Sequence, residues 1–374
     1  MQILFIRFRP YPAVGNGGDS CSQRNLNVLY ELFGKGNVEI FDIYPDTREE
    51  SKWQKIRGLR RLFYGYFFGL TRKKLEKIET LSHTKQLVFI ERSTFGCIAK
   101  HLKKQGFSGT VVTFFQNVEK RFYEDYISKY NPFKKNIVNC AAKNEADAMK
   151  YSDWVVALNK RDNALLQHYY HRNADALIPI SLVDKKPQET FEKIRSTPVG
   201  LFVGSYMPMN VGGILWFVEN VLPHVEMQLQ IVGKGMGKLG SKLKQIPHYV
   251  RDDNTKVWIF SDVEDISPFY EQCDFIVSPI FKGSGMKVKT CEALMYGKHI
   301  FGTKEAFEGY DLEPQKIGAC CENAEEFITA IKQFTQTQPN RFNSFSRMVY
   351  LEKHQPFAAK NIMASLLEKY SEKQ

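Results

Sequence analysis

The stretch "DFIVSPIFKGSGMKVKTCEALMYGKHIFGT", residues 274–303, decides the fold of this sequence. It begins with an apolar run of the kind found in buried strands, and a turn with two glycines follows. "VKTCEALMYG" then predicts a helix, and "HIFGT" predicts the next strand. A strand, a turn, a helix and a second strand form the repeating unit of a parallel sheet. The stretch therefore predicts an α/β protein.

The same alternation extends in both directions and divides the chain into two domains. Strands are predicted at residues 3–8, 38–44, 87–93, 110–117, 153–159, 176–180, 199–206, 227–233, 256–261, 274–279 and 299–303. Residues 183–198 are polar and charged and contain two prolines, which is typical of a linker. We therefore expect two doubly wound domains, at 1–182 and 199–352, followed by a helical segment at 353–374. Ligands of such sheets bind beyond the carboxyl ends of the strands, so the cleft between the domains is the expected site.

Composition limits the classes of function. The 374 residues, 43% hydrophobic and 25% charged, are typical of a soluble globular protein of two domains. The formal net charge of +11 favours anionic partners such as nucleotides, nucleic acid, phospholipid head groups or diphosphate-linked substrates. The seven cysteines form no C-x-x-C pair, so we expect reduced thiols and neither a disulfide framework nor a zinc site.

The N-terminus shows no signal-peptide pattern, and no apolar run reaches the roughly 18 residues of a membrane span. These features predict a cytoplasmic protein, or one held peripherally at the inner face of a membrane.

The glycine-rich turn carries the residue types that an anionic ligand needs. Gly283 and Gly285 allow close approach to the backbone, and free N–H groups at a helix start attract phosphate oxygens. Lys287 and Lys289 oppose the helix dipole, a cost that is explained if an anion lies between them. Glu292, about one and a half turns further along, offers a carboxylate to a ribose diol. The alternative is a surface helix start with solvated lysines.

These residues carry a resemblance to a known family. "GSGMKVKTCEALMYGKHIFGT" resembles the donor-binding motif of retaining glycosyltransferases with the GT-B fold, family 4 in particular. "GLFVGSYMPMNVGGILWFVENVLP" and "IFSDVEDISPFYEQCDFIVSPI" are similar to the first strand and helix and to the base-binding loop of their nucleotide-binding domain. "PYPAVGNGGDSCSQRNLNVLYEL" is similar to their N-terminal glycine loop. The resemblance implies two Rossmann-like domains facing a central cleft, with the C-terminal helix crossing back to the first domain.

The resemblance also implies a substrate class. The donor would be a nucleotide-sugar, a UDP-sugar in the first place, and the acceptor a glycan or a lipid-linked acceptor in surface polysaccharide assembly. The implied donor-binding residues are Gly17, Gly18, Val263, Ser284, Gly285, Met286, Lys287, Lys289 and Glu292. Lys287 and Lys289 would neutralise the diphosphate, Glu292 would hold the ribose and Val263 would meet the base through its backbone. Gly17 and Gly18 would face the diphosphate and the sugar. No metal, no other cofactor and no nucleic acid is expected.

Two positions depart from the family pattern. Many relatives have two glutamates with seven residues between them, and Ser284 stands where the first would lie. In "FFQNVEKRFYEDY", Gln116 stands where relatives often have a histidine. Gln116 can donate a hydrogen bond to a sugar hydroxyl but cannot act as a general base. Either the chemistry needs no protein base, as the resemblance implies, or the site is weakened. In the first case the leaving diphosphate takes the acceptor proton, and catalysis rests on charge stabilisation and positioning.

The implied catalytic residues are therefore Lys287, Lys289 and Gln116, with Asn117 and Glu119 on the acceptor side.

A second segment, residues 56–77, combines apolar side chains at helical spacing with many arginines and lysines. This pattern suits an anionic membrane surface, and it equally suits a helix whose apolar face joins the domain core.

Three other functions stay open from the sequence. The first is a nucleotide-sugar epimerase, and the second is a non-catalytic GT-B subunit that partners an active transferase. The third, a nucleic-acid binder, is suggested by charge alone and has no recognisable module.

Overall fold

The computed structural model describes residues 1–10, 17–44, 58, 60–67, 69–127, 129–186, 197–246, 257–283, 285–337 and 340–371. The chain divides into two compact units, Met1–Ile180 with Pro356–Gln374 and Ser181–Gln355. Ser284 and residues 187–196 of the predicted linker lie outside the described residues.

The first unit is a parallel sheet whose strands alternate with helices. Its strands are β1 Ile3–Arg7, β2 Val38–Asp42, β3 Leu87–Ile90, β4 Thr110–Phe115, β5 Trp154–Ala157 and β6 Ala176–Leu177. Its longer helices are α1 Gly17–Phe33, α2 Arg72–Ser82, α3 Gly96–Lys104, α4 Glu119–Tyr126, α5 Lys134–Tyr151 and α6 Lys160–Tyr170. The strand order is β2-β1-β3-β4-β5-β6, and every pair is parallel.

The second unit repeats this architecture. Its strands are β7 Val199–Val203, β8 Gln228–Gly233, β9 Val257–Ser261, β10 Phe275–Ser278, β11 His299–Gly302 and β12 Gly318–Cys320. Its helices are α7 Pro208–Asn220, α8 Gly240–Leu243, α9 Ser267–Gln272, α10 Val288–Met295, α11 Lys304–Phe307, α12 Pro314–Ile317, α13 Ala324–Thr337 and α14 Ser344–Lys353. The strand order is β12-β11-β10-β7-β8-β9, again parallel throughout.

The strands form where the sequence has continuous apolar runs. In β1, Ile3 to Ile6 are fully buried, as expected when helices cover both faces of a parallel sheet. The final helix, α15 Pro356–Ser371, belongs to the first unit, where it packs against α1. The predicted α/β class with two doubly wound sheets is confirmed.

Two details differ from the predictions. Gly17 and Gly18 form the first turn of α1, whereas the resemblance places them in a glycine loop. Strand β12 was not predicted, because it has only three residues and its first, Gly318, has a φ of 150°. A strand this short gives almost no hydrophobic pattern to detect.

Candidate functional site

The glycine-rich turn that precedes Lys287, Lys289 and Glu292 lies at the carboxyl end of the second sheet. After β10 the chain turns through Gly285, whose φ of 61° is in the left-handed region that favours glycine. Met286 then anchors the turn by burying its side chain, and Lys287 is the N-cap residue of α10. The turn thereby places Lys287, Lys289 and Glu292 on one short helix beside the strand ends.

Lys287 is held by a carboxylate from the next element. Its Nζ lies 2.6 Å from Oε1 of Glu305 in α11 and 2.8 Å from the carbonyl oxygen of Gly285. A Cβ added to Gly283 would lie 3.0 Å from Glu305 Oε1 and 3.0 Å from Lys287 Cε. The ion pair therefore fills the space beside the turn, and glycine at 283 leaves room for it.

Lys289 has a different environment. Its Nζ donates to Oδ1 of Asn210 at 3.1 Å and lies 4.3 Å from the centre of the Phe202 ring. Burial, together with the nearby charge of Lys287, lowers the pKa of Lys289 to about 7. The ammonium charge is therefore costly in the free protein, and an anion at this position would relieve that cost.

Glu292 is held by a buried tyrosine. The hydroxyl of Tyr270, in α9, donates to Glu292 Oε2 at 2.8 Å, and its ring stacks on that of Tyr296. Burial raises the pKa of Glu292, while the hydrogen bond from Tyr270 and the charge of Lys289 act in the opposite direction. The carboxylate is thus fixed in place, with a second oxygen available to accept hydrogen bonds.

Asn210 and Tyr270 were not predicted from the sequence. Asn210 lies in the first turn of α7, directly beyond the end of β7, and its Nδ2 donates to the Ser205 carbonyl at 2.9 Å. A polar side chain just after a predicted strand was the available signal for it. Tyr270 had no such signal, because the sequence around it does not distinguish a tyrosine of the core from one that donates to a carboxylate.

The neighbouring strand ends continue this edge of the sheet. Asp262 follows β9 with a φ of 58° and accepts a hydrogen bond from the N–H of Gly235 at 3.0 Å. Val263, the residue predicted to meet a base, is half-buried in the same turn. The loops after β8 and β9 are thus tied together, and the contact of Val263 with a base stays a prediction.

In the first unit, Gln116 and Gly18 come together. Gln116 follows β4, and its Nε2 donates to the Gly18 carbonyl at 3.1 Å and to Glu91 Oε1 at 2.9 Å. Glu91 is fully buried after β3 and was not singled out from the sequence. Burial raises the pKa of Glu91 to about 7 against the hydrogen bonds from Gln116 and Asn25.

Asn117 and Glu119, predicted on the acceptor side, lie next to Gln116. Glu119 begins α4 and is buried, which raises its pKa against the charge of Arg92 and a hydrogen bond from Asn117. Glu145 of α5 accepts from the backbone N–H groups of Glu119 at 2.6 Å and Lys120 at 3.2 Å. A buried carboxylate therefore holds the start of α4, as favoured by the helix dipole.

The basic segment at 56–77 is only partly described, since residues 56, 57, 59 and 68 lie outside the described part. Its apolar side chains Leu62, Phe67, Leu70 and Leu75 are buried in the core of the first unit. Phe63 and Tyr64 are 66% and 75% exposed. Most of the stripe thus serves the core, and an exposed aromatic pair remains at the surface.

Two features are absent from the described residues. No helix among them is both long and apolar enough to span a membrane. No group of three or more histidine, cysteine, aspartate or glutamate side chains within that part of the chain is arranged to hold a metal ion.

Fold and site together define an α/β protein of two doubly wound units with the GT-B fold. Residues 197–337, most of the second unit, match the family described as Glycosyl transferases group 1. The matched region includes Lys287, Lys289 and Glu292.

One relative and two solved structures are similar to the chain. The chain is 24% identical over 115 residues to an uncharacterized 44.6 kDa protein in the cps region of Klebsiella pneumoniae, a match covering 29% of this chain and 30% of that protein. It is 13% identical to sucrose-phosphate synthase from Thermosynechococcus elongatus, with a TM-score of 0.76 and all of both chains covered. It is 11% identical to Anabaena Alr3699/HepE in complex with UDP-glucose, with a TM-score of 0.69, covering 99% of this chain and 100% of that one. These findings support the GT-B fold for the chain and a Glycosyl transferases group 1 domain at 197–337.

Proposed function

We propose that this protein is a retaining glycosyltransferase of the family 4 type, which moves a sugar from a UDP-sugar to a glycan or lipid-linked acceptor. The observation that carries the proposal is the grouping of Lys287, Lys289 and Glu292 on α10 at the carboxyl end of the second sheet. Two cations suit a diphosphate, and a fixed carboxylate suits a ribose diol. The structure of a neighbour in complex with UDP-glucose favours uridine as the base.

In the proposed reaction, an acceptor hydroxyl attacks the anomeric carbon on the face that the diphosphate leaves. The bond between that carbon and the diphosphate oxygen breaks, a new carbon–oxygen bond forms, and the acceptor proton passes to the leaving oxygen. The two lysines stabilise the charge that develops on the leaving group. The scheme needs neither a protein base nor a metal, which is consistent with Gln116 in place of a histidine.

Calorimetric titration with UDP, GDP, ADP and CMP tests the donor site. We expect micromolar binding of UDP, weakened at least tenfold in Lys289→Ala and in Glu292→Ala, since each removes a charged partner of the ligand. Lys282→Ala is the matched control, because Lys282 is exposed on the same turn. Absence of binding by every nucleotide would refute the donor site and favour the non-catalytic subunit.

Product analysis separates the transferase from its rivals. Incubation with UDP-glucose and EDTA should still release UDP, and the new glycosidic bond should keep the α configuration of the donor. Conversion of the nucleotide-sugar to its epimer without UDP release would instead establish an epimerase. An inverted product would refute the retaining scheme while leaving the transferase intact.

We further propose that the first unit meets an anionic membrane surface from the cytoplasmic side, through Phe63 and Tyr64. Both rings are exposed beside the exposed Arg60, and aromatic and basic side chains together favour the interface of anionic lipid. The predicted partner surface thus narrows from the whole of 56–77 to this exposed pair.

Sedimentation with vesicles containing phosphatidylserine tests the membrane surface. The double substitution Phe63→Ser with Tyr64→Ser should reduce binding several-fold, whereas Phe357→Ser, which removes an equally exposed ring (67%) elsewhere in the unit, should not. Equal binding of wild type and the double variant would refute this surface.

A further inference from the structure

A chain of buried polar groups in the first unit fixes the amide of Gln116. Its Nε2 lies 2.9 Å from Glu91 Oε1 and 3.1 Å from the carbonyl oxygen of Gly18. An ionised carboxylate and a backbone carbonyl can only accept hydrogen bonds. The amide atom facing them must therefore be the nitrogen, and both of its N–H groups are used.

The other end of the chain fixes the same direction. Asn25 Nδ2 donates to the two oxygens of Glu91 at 3.1 and 3.2 Å. Its Oδ1 accepts from Arg24 Nε at 3.0 Å and from Arg24 Nη2 at 2.7 Å. Because an arginine can only donate, Asn25 cannot turn its amide either. Glu91 is thus the single acceptor on which two amides of fixed orientation converge.

We propose that Glu91 is a positioning residue that makes Gln116 present its Oε1, as a hydrogen-bond acceptor, to a hydroxyl of the sugar substrate. The inference rests on the proposed glycosyltransferase function, and it assigns Gln116 the role of an acceptor where the sequence predicted a donor. Gln116 is 6% exposed, and within the described part of the chain no hydrogen bond reaches its Oε1. A hydroxyl group can satisfy this oxygen, whereas a phosphate, a carboxylate or a ketone cannot.

The orientation depends on the ionisation of Glu91. The groups that face this carboxyl come from α1 and from the residues that follow β3 and β4. They are Asn25, Arg24, Cys21, Arg92 and Gln116. Burial raises the pKa of Glu91 to about 7, against the two amides and the two arginines. Protonated Glu91 can donate a hydrogen bond, which leaves the Gly18 carbonyl as the remaining acceptor that holds the Gln116 amide. The orientation is therefore held by two acceptors above this pKa and is weakened to one as the pH falls through it.

Nuclear magnetic resonance of the side-chain amides tests the positioning without any substrate. The Gln116 NH2 signals, assigned by their loss in Gln116→Leu, should shift with pH around 7 in step with those of Asn25. Glu91→Gln should abolish this titration. Glu145→Gln is the matched control, since Glu145 is also fully buried and its pKa is also raised to about 7, yet it accepts from the start of α4, Tyr170 and Ser93 and from neither Gln116 nor Asn25 in the described part of the chain. Gln116 signals that titrate unchanged in Glu91→Gln, or not at all in wild type, would overturn the inference.

Kinetics with UDP-glucose as the probe test the consequence for the substrate. The kcat/KM for UDP release should fall about tenfold in Glu91→Gln and further in Glu91→Ala. In both variants the increase of kcat/KM with pH near 7 should disappear. The dissociation constant of UDP should stay within about twofold, because Lys287, Lys289 and Glu292, which we propose to bind it, lie in the second unit. UDP binding with unchanged turnover and pH profile in Glu91→Gln would overturn the inference. Failure of wild type to bind UDP would overturn the proposed function instead, and the resonance data would still decide the role of Glu91.

Discussion

Lys289 allows a quantitative test of the proposed donor site, because its side chain is only partly charged near neutral pH in the free protein. Burial and the neighbouring Lys287 lower the pKa of Lys289 to about 7, against the attraction of Glu292. A diphosphate bound beside it favours the ammonium form and raises this pKa. Binding must therefore take up a proton, and affinity must fall as the pH rises through the pKa of the free protein.

The magnitude follows from the charged fraction. With a pKa of about 7, Lys289 is charged in about nine molecules of ten at pH 6 and in about one of ten at pH 8. If only the charged form binds, the apparent dissociation constant scales with the inverse of this fraction and rises about tenfold over the interval. At pH 7, binding should take up about half a proton.

UDP-glucose is the ligand of choice for this measurement, by calorimetry in buffers of differing ionisation enthalpy. Its diphosphate carries no proton that titrates between pH 6 and 8, whereas the terminal phosphate of UDP titrates near pH 6. Lys289→Arg keeps a permanent charge and should show a flat profile. Lys287→Arg is the control that should retain the slope. A flat profile in wild type, with affinity like that of Lys289→Arg, would refute the reasoning.

Two further substitutions test the surroundings of the site. Glu305→Gln releases Lys287 from its 2.6 Å ion pair, so UDP should bind at least about threefold tighter, as measured by calorimetry. Weaker binding would instead show that Glu305 orients the lysine for the ligand. Gly213→Ala should lower the thermal midpoint by several degrees, because the new Cβ would lie 1.8 Å from the Pro279 carbonyl oxygen. Gly212→Ala, with nothing within 4 Å of its Cβ, should raise the midpoint slightly through helix propensity, and effects of the same sign at both positions would contradict the packing argument.

The sheet architecture was predictable because local patterns carry it. Apolar runs covered by helices on both faces are continuous and easy to recognise, and each strand in the first unit was found from its own residues. The predicted strand ends extended too far where polar residues follow the last paired residue of the sheet, as at Gln116 after β4. Gly17 and Gly18 were expected in a loop, because glycine has a low helix propensity, yet they occupy the first turn of α1.

The site was predictable only where its members share one helix. Lys289 and Glu292 are three residues apart, so helical spacing alone predicts that they lie on one face, and Lys287 comes directly before the first turn. Their partners Asn210 and Tyr270 come from other elements, 79 and 22 residues away in sequence. Single-sequence patterns contain no information about such contacts, which depend on how the strands are ordered in the sheet.

The two lysines on α10 differ in a way that indicates what their ligand must do. Lys287 already has a carboxylate partner in Glu305, whereas Lys289 is paired with the neutral amide of Asn210 and the ring of Phe202. An incoming anion therefore competes for the first lysine and supplies missing charge to the second. A diphosphate can do both at once, because its charge is spread over two phosphoryl groups. In the proposed reaction, departure of the nucleotide would let Glu305 pair with Lys287 again and let Lys289 lose its proton. The two lysines that we propose to stabilise the leaving group would thus also assist its release.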